Sequence, residues 1–344
     1  MVLAIILLML FGLSFLFNMG HFMSGMSHGK TRYSRSVGPK LEEVVVEDND
    51  GLNKIALVEV NGIITSRSLD QGGYNVVELI KAQLKRSEDD DRVKAVILRV
   101  DSPGGEVLAS DEIYREISDF QKRARKPVIA SMGNLAASGG YYVSAPCQWI
   151  VANDLTITGS IGVIMHSYNY RKLMDKVGLQ PQTYKSGKFK DMLSGDRDPE
   201  QIPPEERAMI QGLIDETYNK FKGIVADGRK QAREKNKSRS DKGRELAADW
   251  ADYADGRVLS GTEAYKLGFV DELGNFQDAV KRAKSLVNLS GPVNLIQFQQ
   301  HYDLSDIFRM FGKSEPKTIK VDLGMDPPKL QAGQLYFLSP SFIR

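Results

Sequence analysis

Cysteine is nearly absent from this chain: Cys147 stands alone, so neither a disulfide framework nor a CxxC-type zinc site can be built. The four histidines, His21, His28, His166 and His301, form no HExxH pair, and two of them lie near the start of the chain. That scarcity argues against a histidine metal centre and against a Ser-His-Asp triad, so no metal is expected. A surplus of one charge is missing too, with 46 Lys plus Arg against 44 Asp plus Glu. Such balance fits neither a disordered polyelectrolyte nor a nucleic-acid coat. The P-loop and dinucleotide glycine patterns are also missing, so nucleotide binding is not expected and no cofactor is called for. What is present is 344 residues with 42% hydrophobic content, enough for one large domain or two smaller ones, each with its own core.

The first charged residue is Lys30, and Met1 to Phe17 is apolar apart from Gly12 and Ser14. Extended through Met26, this run reaches the length a bilayer core requires, and no basic n-region or small-residue cleavage site marks it as a removable signal. The expectation is a retained single-pass anchor over 1–26. Lys30, Arg32, Arg35 and Lys40 follow it, which under the positive-inside rule favours a cytoplasmic body. Residues 27–53 read as a linker, acidic in its second half, and a folded domain is expected over 54–290. An irregular extension and tail follow over 291–344.

Within 54–290 apolar, β-branched runs alternate with helical periodicity. Strands are expected over Ile55–Ile64, Val93–Val100, Val128–Met132 and Trp149–Ala152, and helices over Val76–Lys85, Val107–Arg123 and Ala136–Ala145. A long helix is expected over Glu206–Lys235, entered through Pro203-Pro204. This is an α/β pattern with a mostly parallel sheet. The basic stretch Arg229–Arg244 reads as a solvated helix face, because acidic residues interrupt it and no aromatics interleave.

Three glycine-bearing loops follow strands: Asp101–Gly105, Gly133–Gly140 and Thr158–Val163. Gly104-Gly105 could aim bare backbone N–H groups at a developing oxyanion, or could serve only as a tight turn. Ser138, among Ala and Gly neighbours at a helix start, could be a nucleophile, with a plain helix cap the commoner use of such a serine. With histidine scarce, a lysine would have to act as the base, and Lys185, Lys188 and Lys190 lie together where spacing does not choose between them.

Taken together, Asp101-Ser102-Pro103-Gly104-Gly105, Asn134 to Tyr142, Thr158-Gly159-Ser160-Ile161-Gly162-Val163, Ser186 to Asp191 and Arg257 to Gly274 resemble the signal peptide peptidase A family. The likeness spans about Ile55 to Leu289. It implies the ClpP/crotonase-like fold of repeated β-β-α units and a serine endopeptidase with a Ser-Lys dyad. Ser138 would be the nucleophile, Lys190 the general base and Ser160 the residue orienting the lysine. Gly105, aided by the amide of Gly139, would line the oxyanion hole. The resemblance further implies a ring-like homo-oligomer whose active sites draw on neighbouring subunits. It also implies membrane anchoring with an extracytoplasmic catalytic domain. Substrates would be signal peptides or other unfolded hydrophobic chains, bound by strand addition with small or apolar side chains in shallow pockets. A crotonase-like acyl-CoA enzyme and a non-catalytic membrane scaffold are the competing readings. Leu335 to Ser339 forms an apolar run able to lie in a peptide groove.

Overall fold

In this computed structural model the described residues are 38–67, 74–300 and 335–338. The chain divides into two units, Met1–Gly38 and Pro39–Arg344, and every element below belongs to the second. In chain order these elements are β1 (Leu41–Glu47), β2 (Asn53–Asn61), α1 (Val76–Asp89), β3 (Val93–Ser102), β4 (Gly104–Glu106) and α2 (Val107–Arg123). Next come β5 (Val128–Ala137), α3 (Gly139–Ser144), β6 (Trp149–Ala152), β7 (Ile157–Gly159), β8 (Ile164–Met165) and α4 (Arg171–Lys176). The last are α5 (Pro204–Lys235), β9 (Val258–Ser260), α6 (Gly261–Lys266), β10 (Glu272–Leu273), α7 (Phe276–Leu286), β11 (Val293–Gln300) and β12 (Leu335–Leu338).

Strand alternation sorts the core into two layers. In β3, Val96, Leu98 and Val100 face the cluster packed by α1, α2, α3 and α5, while Ala95 and Ile97 face the cluster packed by α7. The principal sheet runs β1-β11-β2-β3-β5-β6-β10, with β7 and β9 branching from β5. All its pairs are parallel except β1 with β11 and β7 with β9. The architecture is therefore mixed α/β on a mostly parallel sheet. A smaller antiparallel sheet, β4-β12-β8, stands beside it.

Several expectations change. Leu41–Glu47, read as linker, forms edge strand β1, and Val293–Gln300, read as irregular, forms β11 with Val293, Leu295, Ile296 and Phe298 buried. Each needs the other for its antiparallel ladder, a pairing between ends of the chain that no local pattern reveals. Strand β5 runs on to Ala137 because Ala136 and Ala137 pair with Thr158 and Gly159 of β7, so the short helix begins only at Gly139. Arg229, read as solvated, is 2% exposed and donates to Asp271 at 2.5 Å and to the carbonyls of Ala145 and Cys147. Burial pushes the Asp271 carboxyl upward, against the pull of Arg229. Among the described residues no helix is long and apolar enough to cross a membrane. The expected anchor over 1–26 lies outside them.

Candidate active site

Ser138 occupies the single residue between β5 and α3 with φ 54° and ψ −115°, a left-handed conformation rare outside glycine. Such a residue stores about 1–3 kcal/mol and persists only where its surroundings impose it. Here the Ser138 N–H donates to the Gly159 carbonyl at 2.8 Å, and its own carbonyl accepts from Tyr142 N–H at 2.8 Å. Its side chain makes no cap hydrogen bond, so the cap reading of this serine does not hold. The Oγ is buried without any hydrogen-bond partner among the described residues. A buried hydroxyl at a strained strand-to-helix corner, with no partner among the described residues, is open to a proton acceptor.

Two glycine segments back onto this corner. A Cβ on Gly105 would lie 1.9 Å from the Ile64 carbonyl oxygen, and one on Gly139 would lie 2.9 Å from Gly104 Cα and 3.1 Å from Gly105 N. Glycine is needed here for close backbone approach, and Gly104 also has φ 98°. Glu106 fastens the neighbouring loop by accepting from Thr65 Oγ1, Ser66 N–H and Ser66 Oγ. Gly104, Gly105 and Gly139 thus bring their backbones into close approach next to Ser138.

Ser160 directly follows Gly159, whose carbonyl holds Ser138, and is itself buried with φ 49°. Its N–H donates to the Arg257 carbonyl at 2.7 Å. Lys190 is placed otherwise. Residues 186–193 form successive bends and turns, and Lys190 is exposed, making no hydrogen bond to Ser138. The structure nevertheless separates the three lysines. Lys185 pairs with Asp191 at 2.8 Å and Lys188 with Glu205 at 3.5 Å, while Lys190 has no ion pair among the described residues.

The structure also brings in residues that sequence reasoning passed over. Asp111 of α2 accepts from Tyr142 Oη at 2.8 Å and pairs with Lys220 of α5 and Arg115, both at 2.8 Å. Burial pushes its carboxyl up, but the three hydrogen bonds outweigh this and hold it below the usual carboxylate range. The network locks Tyr142, one helical turn beyond Ser138, against α5. Its only local signature was the i,i+4 pair of Asp111 and Arg115.

Strand β12 lies between β4 and β8, antiparallel to both, with Phe337 opposite Gly105 and Tyr336 opposite Ile164. An extended segment therefore fits between the glycine edge and β8, in the manner of peptide recognition by strand addition.

The profile of Peptidase family S49 matches residues 120–290. "Putative protease slr0021" of Synechocystis sp. is 37% identical over 79% of this chain and 88% of its own length. "Putative signal peptide peptidase SppA" of Enterococcus faecium is 36% identical over 71% of this chain and 67% of its own length. "Serine protease SPPA, chloroplastic" of Arabidopsis thaliana is 32% identical over 77% of this chain, which spans 37% of that longer protein. With its glycine edge, its strained serine and relatives of this likeness along most of their length, the chain belongs to peptidase family S49, the signal peptide peptidase A family of serine-type peptidases.

Proposed function

We propose that this chain is a membrane-anchored serine endopeptidase of the ClpP/crotonase-like fold that degrades remnant signal peptides and other unfolded hydrophobic peptides through Ser138 and Lys190. The observation that carries the reading is the strained, buried and unpartnered Ser138 hydroxyl beside the Gly105 and Gly139 amides. Substrate lies extended between β4 and β8. The neutral amine of Lys190, oriented by Ser160, takes the proton from Ser138 Oγ, which attacks the peptide carbonyl carbon. The resulting oxyanion accepts hydrogen bonds from the two glycine amides. Its collapse breaks the C–N bond, and the amine departs with the proton held by Lys190, leaving an acyl-enzyme. Water, deprotonated by Lys190, then attacks the ester and restores Ser138.

Lys190 acts on the Ser138 of a neighbouring copy in a ring-like homo-oligomer. Its exposure in the single chain supports this, as do the exposed apolar side chains of Leu173, Val177, Leu179, Tyr184 and Leu213 on the same part of the chain. Anchoring rests on the apolar run Met1 to Phe17, and the extracytoplasmic side for the catalytic domain rests on the family resemblance, against the basic residues that follow the run.

Hydrolysis of a hydrophobic peptide across pH 6 to 10 by wild type, Ser138→Ala, Lys188→Ala and Lys190→Ala tests the dyad. Wild type and Lys188→Ala should gain rate toward alkaline pH, as general-base catalysis by an amine requires, and the other two should be inactive. Equal rates in all four proteins overturn the reading. Mixing Ser138→Ala with Lys190→Ala subunits should restore activity. Mixtures that stay inactive overturn the cross-subunit site.

A further inference from the structure

From Val177 to Asp198 the chain forms neither helix nor strand, and Lys190 lies within that stretch. The backbone bonds around it are all local: Lys190 N–H donates to Gly187, Met192 N–H to Phe189 and Ser194 N–H to Asp191, at 3.2, 3.0 and 3.1 Å. Bonds of this kind fix the shape of a turn but not its place on the molecule, so that place depends on side-chain contacts.

Glu206 and Arg197 supply them. Glu206 lies in the first turn of α5, where the helix dipole favours a carboxylate, and is 2% exposed. Its Oε2 accepts from Arg197 Nη1 at 2.7 Å, and its Oε1 accepts from Leu193 N–H at 3.3 Å. Leu193 has φ 67°, a left-handed conformation that persists only where its surroundings impose it. The same guanidinium reaches Asp191, the neighbour of Lys190: Nη1 donates to the Asp191 carbonyl at 3.3 Å, and Nε lies 3.5 Å from Asp191 Oδ2. A planar fork can hold two carboxylates at once, which the single ammonium of a lysine does not reproduce.

Arg197 is itself held from the other flank. Its carbonyl accepts from Asn169 Nδ2 at 2.8 Å, and the Gly195 carbonyl accepts from Tyr170 N–H at 2.8 Å. Gly195 is buried, and a Cβ there would lie 2.2 Å from the Tyr168 carbonyl oxygen, so the two backbones meet closely. Residues 168–170 follow β8, which ties the lysine-bearing segment to that strand on one side and to α5 on the other.

We propose that Arg197 and Glu206 are positioning residues for the base: gripping Asp191 and Leu193, they clamp the turn so that Lys190 projects from a fixed point. The inference rests on the peptidase reading with Lys190 as the base. Neither side chain takes part in the chemistry, but releasing the turn by about 1 Å would cost about 100-fold in rate.

The test uses the full chain, a hydrophobic peptide and a thermal melt of each protein. Arg197→Ala should lower kcat about 100-fold while KM stays within about twofold, because the base is displaced and the peptide groove is not. Arg197→Lys, which keeps the charge without the fork, should recover about tenfold of that loss or less. Mixing locates the defect. Arg197→Ala subunits should regain activity with Ser138→Ala subunits, which bring an intact lysine segment, and stay inactive with Lys190→Ala subunits. Should Arg197→Ala fail to fold, Glu206→Gln keeps the shape of the acceptor without its charge and should show the same pattern with about a tenfold loss in kcat. A folded Arg197→Ala enzyme with kcat within about threefold of wild type, or a loss expressed in KM alone, overturns the clamp and leaves the peptidase intact. Rescue by Lys190→Ala, or by neither partner when Ser138→Ala and Lys190→Ala rescue each other, overturns it as well. If that control pair stays inactive, the cross-subunit site fails alone, and the kcat and KM of Arg197→Ala still decide the clamp. Absence of any Ser138-dependent hydrolysis in wild type overturns the peptidase reading, and the clamp with it.

Discussion

Replacing Gly105 by alanine places a Cβ 1.9 Å from the Ile64 carbonyl oxygen and 2.7 Å from two further Ile64 backbone atoms, where real Cβ contacts essentially never fall below 3.0 Å. The obstacle is backbone, held by Ile64 N–H donating to Gly104 and Glu106 N–H donating to Ile64, at 2.9 and 2.8 Å. No rotamer change relieves it, so β4 must move by about 1 Å, a displacement that costs about 100-fold when it falls on positioned catalytic groups. Loss of one oxyanion donor costs about 100- to 1,000-fold in kcat on its own. Gly105→Ala should therefore lower kcat about 100-fold or more, with a stability loss of about 1–3 kcal/mol from overpacking. Gly212→Ala is the control: nothing lies within 4 Å of its added Cβ in helix α5, so kcat should stay and stability rise by about 0.5–1 kcal/mol. The assay is steady-state hydrolysis of a hydrophobic peptide with a thermal melt of each protein. A folded Gly105→Ala enzyme with kcat within about threefold of wild type would refute the placement of this amide at the reacting carbonyl.

Ser138→Gly should melt higher than Ser138→Ala by the equivalent of about 1 kcal/mol, since glycine adopts φ 54° without the strain that alanine retains, and both should be inactive. Equal melting temperatures would mean the corner is not strained. The Asp111 carboxylate, held below its usual range, contributes stability above the unfolded value of about 3.9 and loses it as pH falls through the folded value. The melting difference between wild type and Asp111→Asn should therefore be largest near pH 6 and shrink below about pH 4. A difference unchanged down to pH 3 would remove the charge-based account of the α2, α3 and α5 junction.

Local chemistry made much of the fold legible. Helix α2 and strand β6 lie at the expected bounds, because three- and four-residue apolar spacing marks one buried helix face and an unbroken apolar run marks a strand buried on both faces. The glycine loops were legible as well, because few residues tolerate such close backbone approach. The sequence by itself also determined the balance of charge and the scarcity of histidine and cysteine, which exclude whole chemistries before any fold is considered. Three lysines close together in sequence stayed equivalent until folding gave Lys185 and Lys188 carboxylate partners and left Lys190 without one among the described residues. Only the tertiary structure decided that β1 and β11 pair, that Arg229 is buried on Asp271, and that Phe337 enters between Tyr142 and Phe221. The physical reason is shared by all of these: each joins residues at least 42 positions apart, where the contact energy depends on which surfaces the whole chain brings together rather than on any residue's neighbours.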